Sequence, residues 1–113
     1  MNIIDFINTL KDGDNAYNII SFEKYLKSKK YKTIKGAVNS LEELTRQDIE
    51  RKFGHSEIII DLYGLHDPII GDTFDKYTSL YVGAFSIFDY YDCELLDVTL
   101  VNKDNALVVQ LEV

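Results

Sequence analysis

The apolar residues of this 113-residue chain change their spacing once, near Gly54, and that change decides what the chain can fold into. Before Gly54 they recur three and four apart, the period of a helix with one buried stripe. After it they alternate, the period of a strand with one buried face. Helices first and strands second argue for an α+β domain rather than an alternating α/β one. The expected architecture is two or three N-terminal helices packed on one face of an antiparallel sheet of about four strands, ending in a C-terminal β-hairpin. One domain spans 1–113, mainly helical over 1–54 and mainly β over 55–113.

Local signals place the elements. Asn2 reads as the cap of a first short helix with Ile3, Ile4, Ile7 and Leu10 on one stripe. Lys11 to Asn15 reads as a turn. A second helix is expected over Ala16 to about Lys29, with Ala16, Ile19, Ile20, Glu23 and Leu26 on one side and Phe22 and Tyr25 on the other. Tyr31 to Asn39 is ambiguous: Thr33, Ile34, Ala37 and Val38 suit a short helix, and Gly36 weakens it. Ser40-Leu41-Glu42-Glu43 matches a capping box that would open a helix running to Phe53, with Gly54 as its stop.

Beyond Gly54, Glu57 to Tyr63 alternates Ile58, Ile60 and Leu62 against Glu57, Asp61 and Tyr63. Gly64 to Asp75 holds Pro68, the single proline, and reads as a loop. Thr78 to Phe88 reads as a long aromatic strand with Gly83 as a bulge. Asp89 to Cys93 is a turn, and Glu94–Val101 with Ala106–Val113 form a hairpin. Facing Val101 with Ala106 pairs Leu100 with Leu107, Val98 with Val109 and Leu96 with Leu111, all on one face; Asp97 then meets Gln110 on the other, and Thr99 meets Val108. As the last strand, Ala106–Val113 also reads as a free sheet edge open to pairing with a second copy.

Composition limits function. The net charge of −7 is uneven: residues 1–36 carry seven lysines against four acids, and residues 37–113 carry five basic residues against fifteen acids. An acidic module disfavours nucleic acid and anionic membranes as direct partners and favours a basic protein. No run approaches the ~20 apolar residues of a membrane span. One cysteine, Cys93, permits no internal disulfide, which fits a reducing cytoplasm, here that of a bacterial host. Ten lysines against two arginines, with abundant Ile, Asn, Tyr and Asp, suggest a low-GC genome.

Chemistry-bearing clusters are sparse. His66 and Asp67, with Asp72, Asp75 and His55, match no metal-ligand spacing. Cys93 lies between Asp92 and Glu94, with no lysine or helix start beside it in sequence to mark a nucleophile. Gly64, Gly71 and Gly83 are too dispersed for a phosphate loop. The expectation is therefore no enzyme, no cofactor and no metal.

The most informative stretch is Asp89-Tyr90-Tyr91-Asp92-Cys93-Glu94, three acids and two tyrosines at a turn between apolar strands. Tyrosine offers contact area at low entropic cost, and acids steer basic partners. Asp75, Tyr77 and Tyr81 would extend the patch. The competing reading has the tyrosines packing back onto the sheet.

The lysine run from Lys24 to Lys35 carries a resemblance. Tyr25-Leu26-Lys27-Ser28-Lys29-Lys30-Tyr31, Thr33-Ile34-Lys35 and Leu44-Thr45-Arg46-Gln47-Asp48-Ile49 look like fragments of the helical N-terminal domain of tyrosine recombinases, a DNA-binding domain. The match spans roughly thirty residues of common motifs. It departs from that family in lacking a helix between the last two pieces, and no recombinase catalytic domain follows.

The leading expectation is a small acidic protein-binding module: an inhibitor from a phage or mobile element that blocks a basic nucleic-acid-binding enzyme, as anti-restriction and anti-CRISPR proteins do. The alternatives are a toxin-neutralising immunity protein and a homo-oligomeric adaptor, with a small enzyme or ligand-binding cup behind them.

Overall fold

The computed structural model describes residues 1–55, 57–63, 77–79, 90–103 and 106–113, with the side chains of 63 and 77–79 left aside. Four helices, not two or three, precede the sheet: α1 (Ile3–Thr9), α2 (Asn15–Lys29), α3 (Ile34–Leu41) and α4 (Arg46–Phe53). The strands are β1 (Ile58–Tyr63), β2 (Tyr77–Ser79), β3 (Asp97–Asn102) and β4 (Leu107–Glu112).

Three of the four helices, α1, α3 and α4, start where a side chain satisfies one of the first free amides; α2 starts after Asp14 without such a bond. Asn2 Oδ1 accepts from the Asp5 amide at 2.8 Å, and Thr33 Oγ1 accepts from the Gly36 amide at 3.3 Å. The capping box that opens α4 is Thr45 with Asp48, not Ser40 with Glu43. The chain contains two such four-residue patterns in succession, and burial selects between them. Ile34, Ala37, Val38 and Leu41 form one buried stripe at i, i+3, i+4 and i+7, so the helix runs through Ser40. Ser40 instead accepts the Tyr31 hydroxyl at 2.8 Å. The ambiguous stretch is thus a helix. Gly54 ends α4 in the left-handed region (φ 74°), where a side chain would be strained and its Cβ would run into Asn15.

The buried face of α2 is rotated from the expected one toward Phe22 and Tyr25, keeping Leu26 and, in part, Ile19. Asn18, Phe22, Tyr25 and Leu26 point inward, while Ile20 stays 58% exposed. Two aromatic rings and Leu26 together remove more apolar area from water than Ile20 and Ala16 would, so the side with Phe22 and Tyr25 is the one buried. The rings stack in a chain across three helices: Tyr25 to Phe6 at 4.4 Å, Phe6 to Phe22 at 6.3 Å, and Phe22 to Phe53 at 5.0 Å between centroids. This layer meets Ile58, Ile60, Leu62, Val98, Leu100, Leu107, Val109 and Leu111, so the helices cover one face of the sheet in a single core.

The sheet is mixed, not antiparallel. Its order is β2-β1-β4-β3, with three six-residue strands and the three-residue β2 at one side. β4 runs parallel to β1 and antiparallel to β3, and β2 runs antiparallel to β1. The last strand is therefore central, paired on both sides, and offers no edge to a second copy. The reason is in its composition. Leu107, Val108, Val109 and Leu111 are all buried, and a strand buried on both faces belongs inside a sheet. Of the expected strand Thr78–Phe88, β2 covers only the start; 80–89 lie outside the described residues.

The hairpin forms with a register two residues from the expected one. Asn102 faces Leu107, Leu100 faces Val109 and Val98 faces Leu111, while Lys103 and Ala106 exchange backbone hydrogen bonds. A shift of two keeps each side chain on its own face. Its one casualty is Leu96, which loses its place opposite Leu111 and stands 61% exposed.

Among the described residues β3 is a sheet edge, and α2 guards it. Glu23 Oε2 accepts the Leu100 amide at 2.8 Å, on the side turned away from β4. Lys27 pairs with Asp97 at 2.8 Å, and Asp97 also accepts the Val98 amide at 2.9 Å. These bonds hold the Asp97 carboxyl below the ordinary carboxylate range, which offsets its position directly opposite Glu112.

A second polar junction ties α4 to the α1–α2 turn. Asn18, fully buried, donates through Nδ2 to the carbonyls of Lys11 and Lys52, both at 2.8 Å. Gly13 donates to the Arg51 carbonyl at 3.0 Å, and buried Lys52 reaches the Leu10 carbonyl at 2.7 Å as well as the Asp12 carboxylate. The Arg51 and Lys52 carbonyls, which the end of α4 leaves free, are thereby satisfied.

Candidate protein-binding surface

The acidic, tyrosine-bearing stretch sits against the start of α3. The α3 amides need acceptors because a helix offers its first turn none. The Lys35 amide donates to the Tyr91 carbonyl at 3.0 Å and the Ile34 amide to the Cys93 carbonyl at 3.1 Å. Leu95 returns a bond to the Lys32 carbonyl at 3.0 Å, and Thr33 pairs with Glu94 in an antiparallel bridge. Within the stretch, the Cys93 amide closes a turn on the Tyr90 carbonyl at 3.0 Å. Carbonyl oxygens at a helix start also suit its dipole. The result is a ridge over 90–95 fixed at both strands of its backbone.

Side chains divide between the two sides of this ridge. Tyr90, Tyr91, Cys93 and Leu95 pack partly against the core, while Asp92 and Glu94 are exposed. Each tyrosine packs inward, as the competing reading has it, and keeps part of its surface outward. Burial raises the Tyr91 phenol above its ordinary value, and the nearby Glu42 carboxylate raises it further. Glu42 is exposed at the end of α3, near enough for its charge to act on that phenol. The ridge itself carries Tyr91, Asp92 and Glu94 on a hydrogen-bonded backbone.

Glu42 was not legible as a site residue, because its sequence context suggested a helix cap. The Ile34–Leu41 stripe places it at the end of α3, but only the fold brings it to Tyr91. Of the other expected members, Tyr77 lies in β2, its backbone paired with Asp61. Asp75, Tyr81 and Asp89 lie outside the described residues, as do His66, Asp67 and Asp72. His55 is buried and its Nε2 meets Asn102 Oδ1, a contact that ties α4's exit to β3. Among the described residues no group of His, Cys, Asp and Glu is arranged to hold a metal ion, and no helix is long and apolar enough to cross a membrane.

Beside the ridge runs an open groove of about 610 Å³ between the end of α2 and residues 94–98. One wall carries Lys27, Lys30 and Lys32; the other carries Glu94, Leu96 and Asp97, over a floor that includes Leu26, Tyr31 and Val98. The N-terminal lysine run and the C-terminal acidic stretch, distant in sequence, meet here. A smaller hollow of about 240 Å³ lies between Tyr25, Lys29, Tyr31 and Glu43. Burial raises the Tyr25 phenol there to about 12.

No family model, curated protein or solved structure matches this chain.

Proposed function

We propose that the chain is a small acidic protein-binding module that blocks a basic nucleic-acid-binding protein, as an inhibitor carried by a phage or mobile element would. The observation that carries this reading is the ridge over 90–95. Backbone hydrogen bonds to Lys32, Ile34 and Lys35 hold it in place before any partner arrives. A preformed surface loses little conformational entropy on binding. Its composition, half-exposed tyrosine flanked by Glu42, Asp92 and Glu94, suits a cationic surface that normally meets phosphates. Asp75, Tyr77, Tyr81 and Asp89 belong to the proposed surface on their sequence positions alone.

The test is capture from a nuclease-treated, low-GC bacterial lysate with the tagged chain, at low and at high salt, beside a Glu42→Lys/Asp92→Lys variant. The reading expects a basic nucleic-acid-binding protein retained by the wild type at low salt, shed at high salt and not retained by the variant. Capture of the same protein by the variant, or of none by the wild type, would overturn it.

A further inference from the structure

We infer that the groove beside α2 is a self-complementary surface on which a second copy of this chain docks about a two-fold axis. The inference stands on residues outside the proposed ridge except for Glu94, and it goes beyond that reading.

Three observations carry it. The groove has walls of opposite sign, with Lys30 and Lys32 exposed on one and Glu94 exposed on the other. Among the described residues neither Lys30, Lys32 nor Glu94 makes an ion pair, whereas Lys27 and Asp97 already close on each other across the groove. Leu96 stands on the acidic wall 61% exposed, on a backbone whose amide is held by the Glu112 carbonyl at 2.8 Å.

A surface of this kind suits its own copy. In a two-fold interface the same patch meets itself, residue i on one copy facing j on the other and j facing i. The basic wall of one copy then lies over the acidic wall of the other, twice. Each Leu96 enters the mate's groove above Leu26, Tyr31 and Val98. A simple acidic or basic peptide would satisfy only one wall and leave like charges facing on the other. The repulsion between two chains of net charge −7 is long-ranged and largely screened beyond about 8 Å at physiological salt, while the contact pairs are not.

The symmetry supplies a specific test by charge exchange. Sedimentation equilibrium is measured at moderate salt over micromolar to millimolar concentrations. The samples are the wild type, Lys30→Glu/Lys32→Glu, Glu94→Lys, an equimolar mixture of those two variants, and Leu96→Asp. All of these positions are exposed, and matching circular dichroism spectra and unfolding curves check that each variant folds. The wild type is expected to dimerise. Each charge variant and Leu96→Asp should raise the dissociation constant at least about tenfold. The mixture should restore association, because both pairs of walls are again opposite in sign. A wild type that stays monomeric throughout, charge variants that dimerise as the wild type does, or a mixture no tighter than its two parents would each overturn the inference. Because Glu42 and Asp92 are left untouched, its failure is separable from that of the ridge.

Discussion

Replacing Asn18 by aspartate changes one NH2 to an oxygen and little else, which makes it a sharp probe of the junction that holds α4. The amide donates to two carbonyls, those of Lys11 and Lys52, in a site without solvent access. A carboxylate there would face both carbonyls with no proton to share. Burying that charge costs several kcal/mol, so the folded state protonates it instead. Protonating an acid of ordinary pKa about 3.9 costs about 4 kcal/mol at pH 7 and only a few tenths near pH 4. The protonated acid has one donor where the amide had two, a further loss of about 1 kcal/mol at either pH. Asn18→Asp should therefore destabilise the fold by about 4–5 kcal/mol near pH 7 and about 1–2 near pH 4. The sign follows from linkage: a carboxyl whose folded pKa is raised loses stability as pH rises through its unfolded value. Urea unfolding of variant and wild type at both pH values measures it, as the difference between the two proteins. A cost below about 1 kcal/mol at neutral pH, or one independent of pH, would refute the argument that these two bonds hold the junction.

Three further outcomes are expected. Thr45→Ala should cost about 1 kcal/mol by urea unfolding, with Thr45→Ser close to wild type, while Glu43→Gln changes stability by less than about 0.5 kcal/mol because it caps nothing. Gly54→Ala should cost about 2 kcal/mol from the left-handed backbone and the clash with Asn15; adding Asn15→Ala should relieve the clash alone, so the double variant is more stable than the sum of the singles. Bonds to Lys52 hold the Asp12 carboxyl low, and bonds to Lys27 do the same for Asp97; at Asp48, burial pushes upward but bonds from Thr45 and Arg51 prevail. Groups depressed in this way stabilise the fold above the ordinary carboxylate value of 3.8, and that stability is lost as pH falls through their folded values. An acid titration monitored by circular dichroism should accordingly show a shallower loss for Asp97→Asn than for the wild type.

Periodicity revealed what depends on one face of one element. The change of spacing at Gly54, the strand through Ile58, Ile60 and Leu62, the Asn2 cap and the Gly54 stop all rest on local rules. What it missed needed competition between elements. Two capping patterns, at Ser40 and Thr45, were equally good until the Ile34–Leu41 stripe was buried as a whole. The face of α2 was decided by which side chains, Phe22 and Tyr25 or Ile20 and Ala16, the rest of the core could hold. The central place of β4 was foreshadowed by Leu107, Val108 and Val109, three buried residues in a row, yet alternation drew attention to only one face. For the candidate surface, the tyrosine–acid stretch was legible as a cluster. Its anchorage to α3 and the nearness of the Glu42 charge were not, since both join segments about fifty residues apart.

An acidic ridge that occupies a partner's nucleic-acid site must compete with nucleic acid for it. The captured partner is loaded with a fluorescent oligonucleotide, and anisotropy is followed as the chain is added. Stoichiometric displacement of the oligonucleotide by the wild type is expected, with the Glu42→Lys/Asp92→Lys variant needing at least about tenfold more protein. Anisotropy that stays high or rises as the chain binds, the mark of a ternary complex, would contradict it.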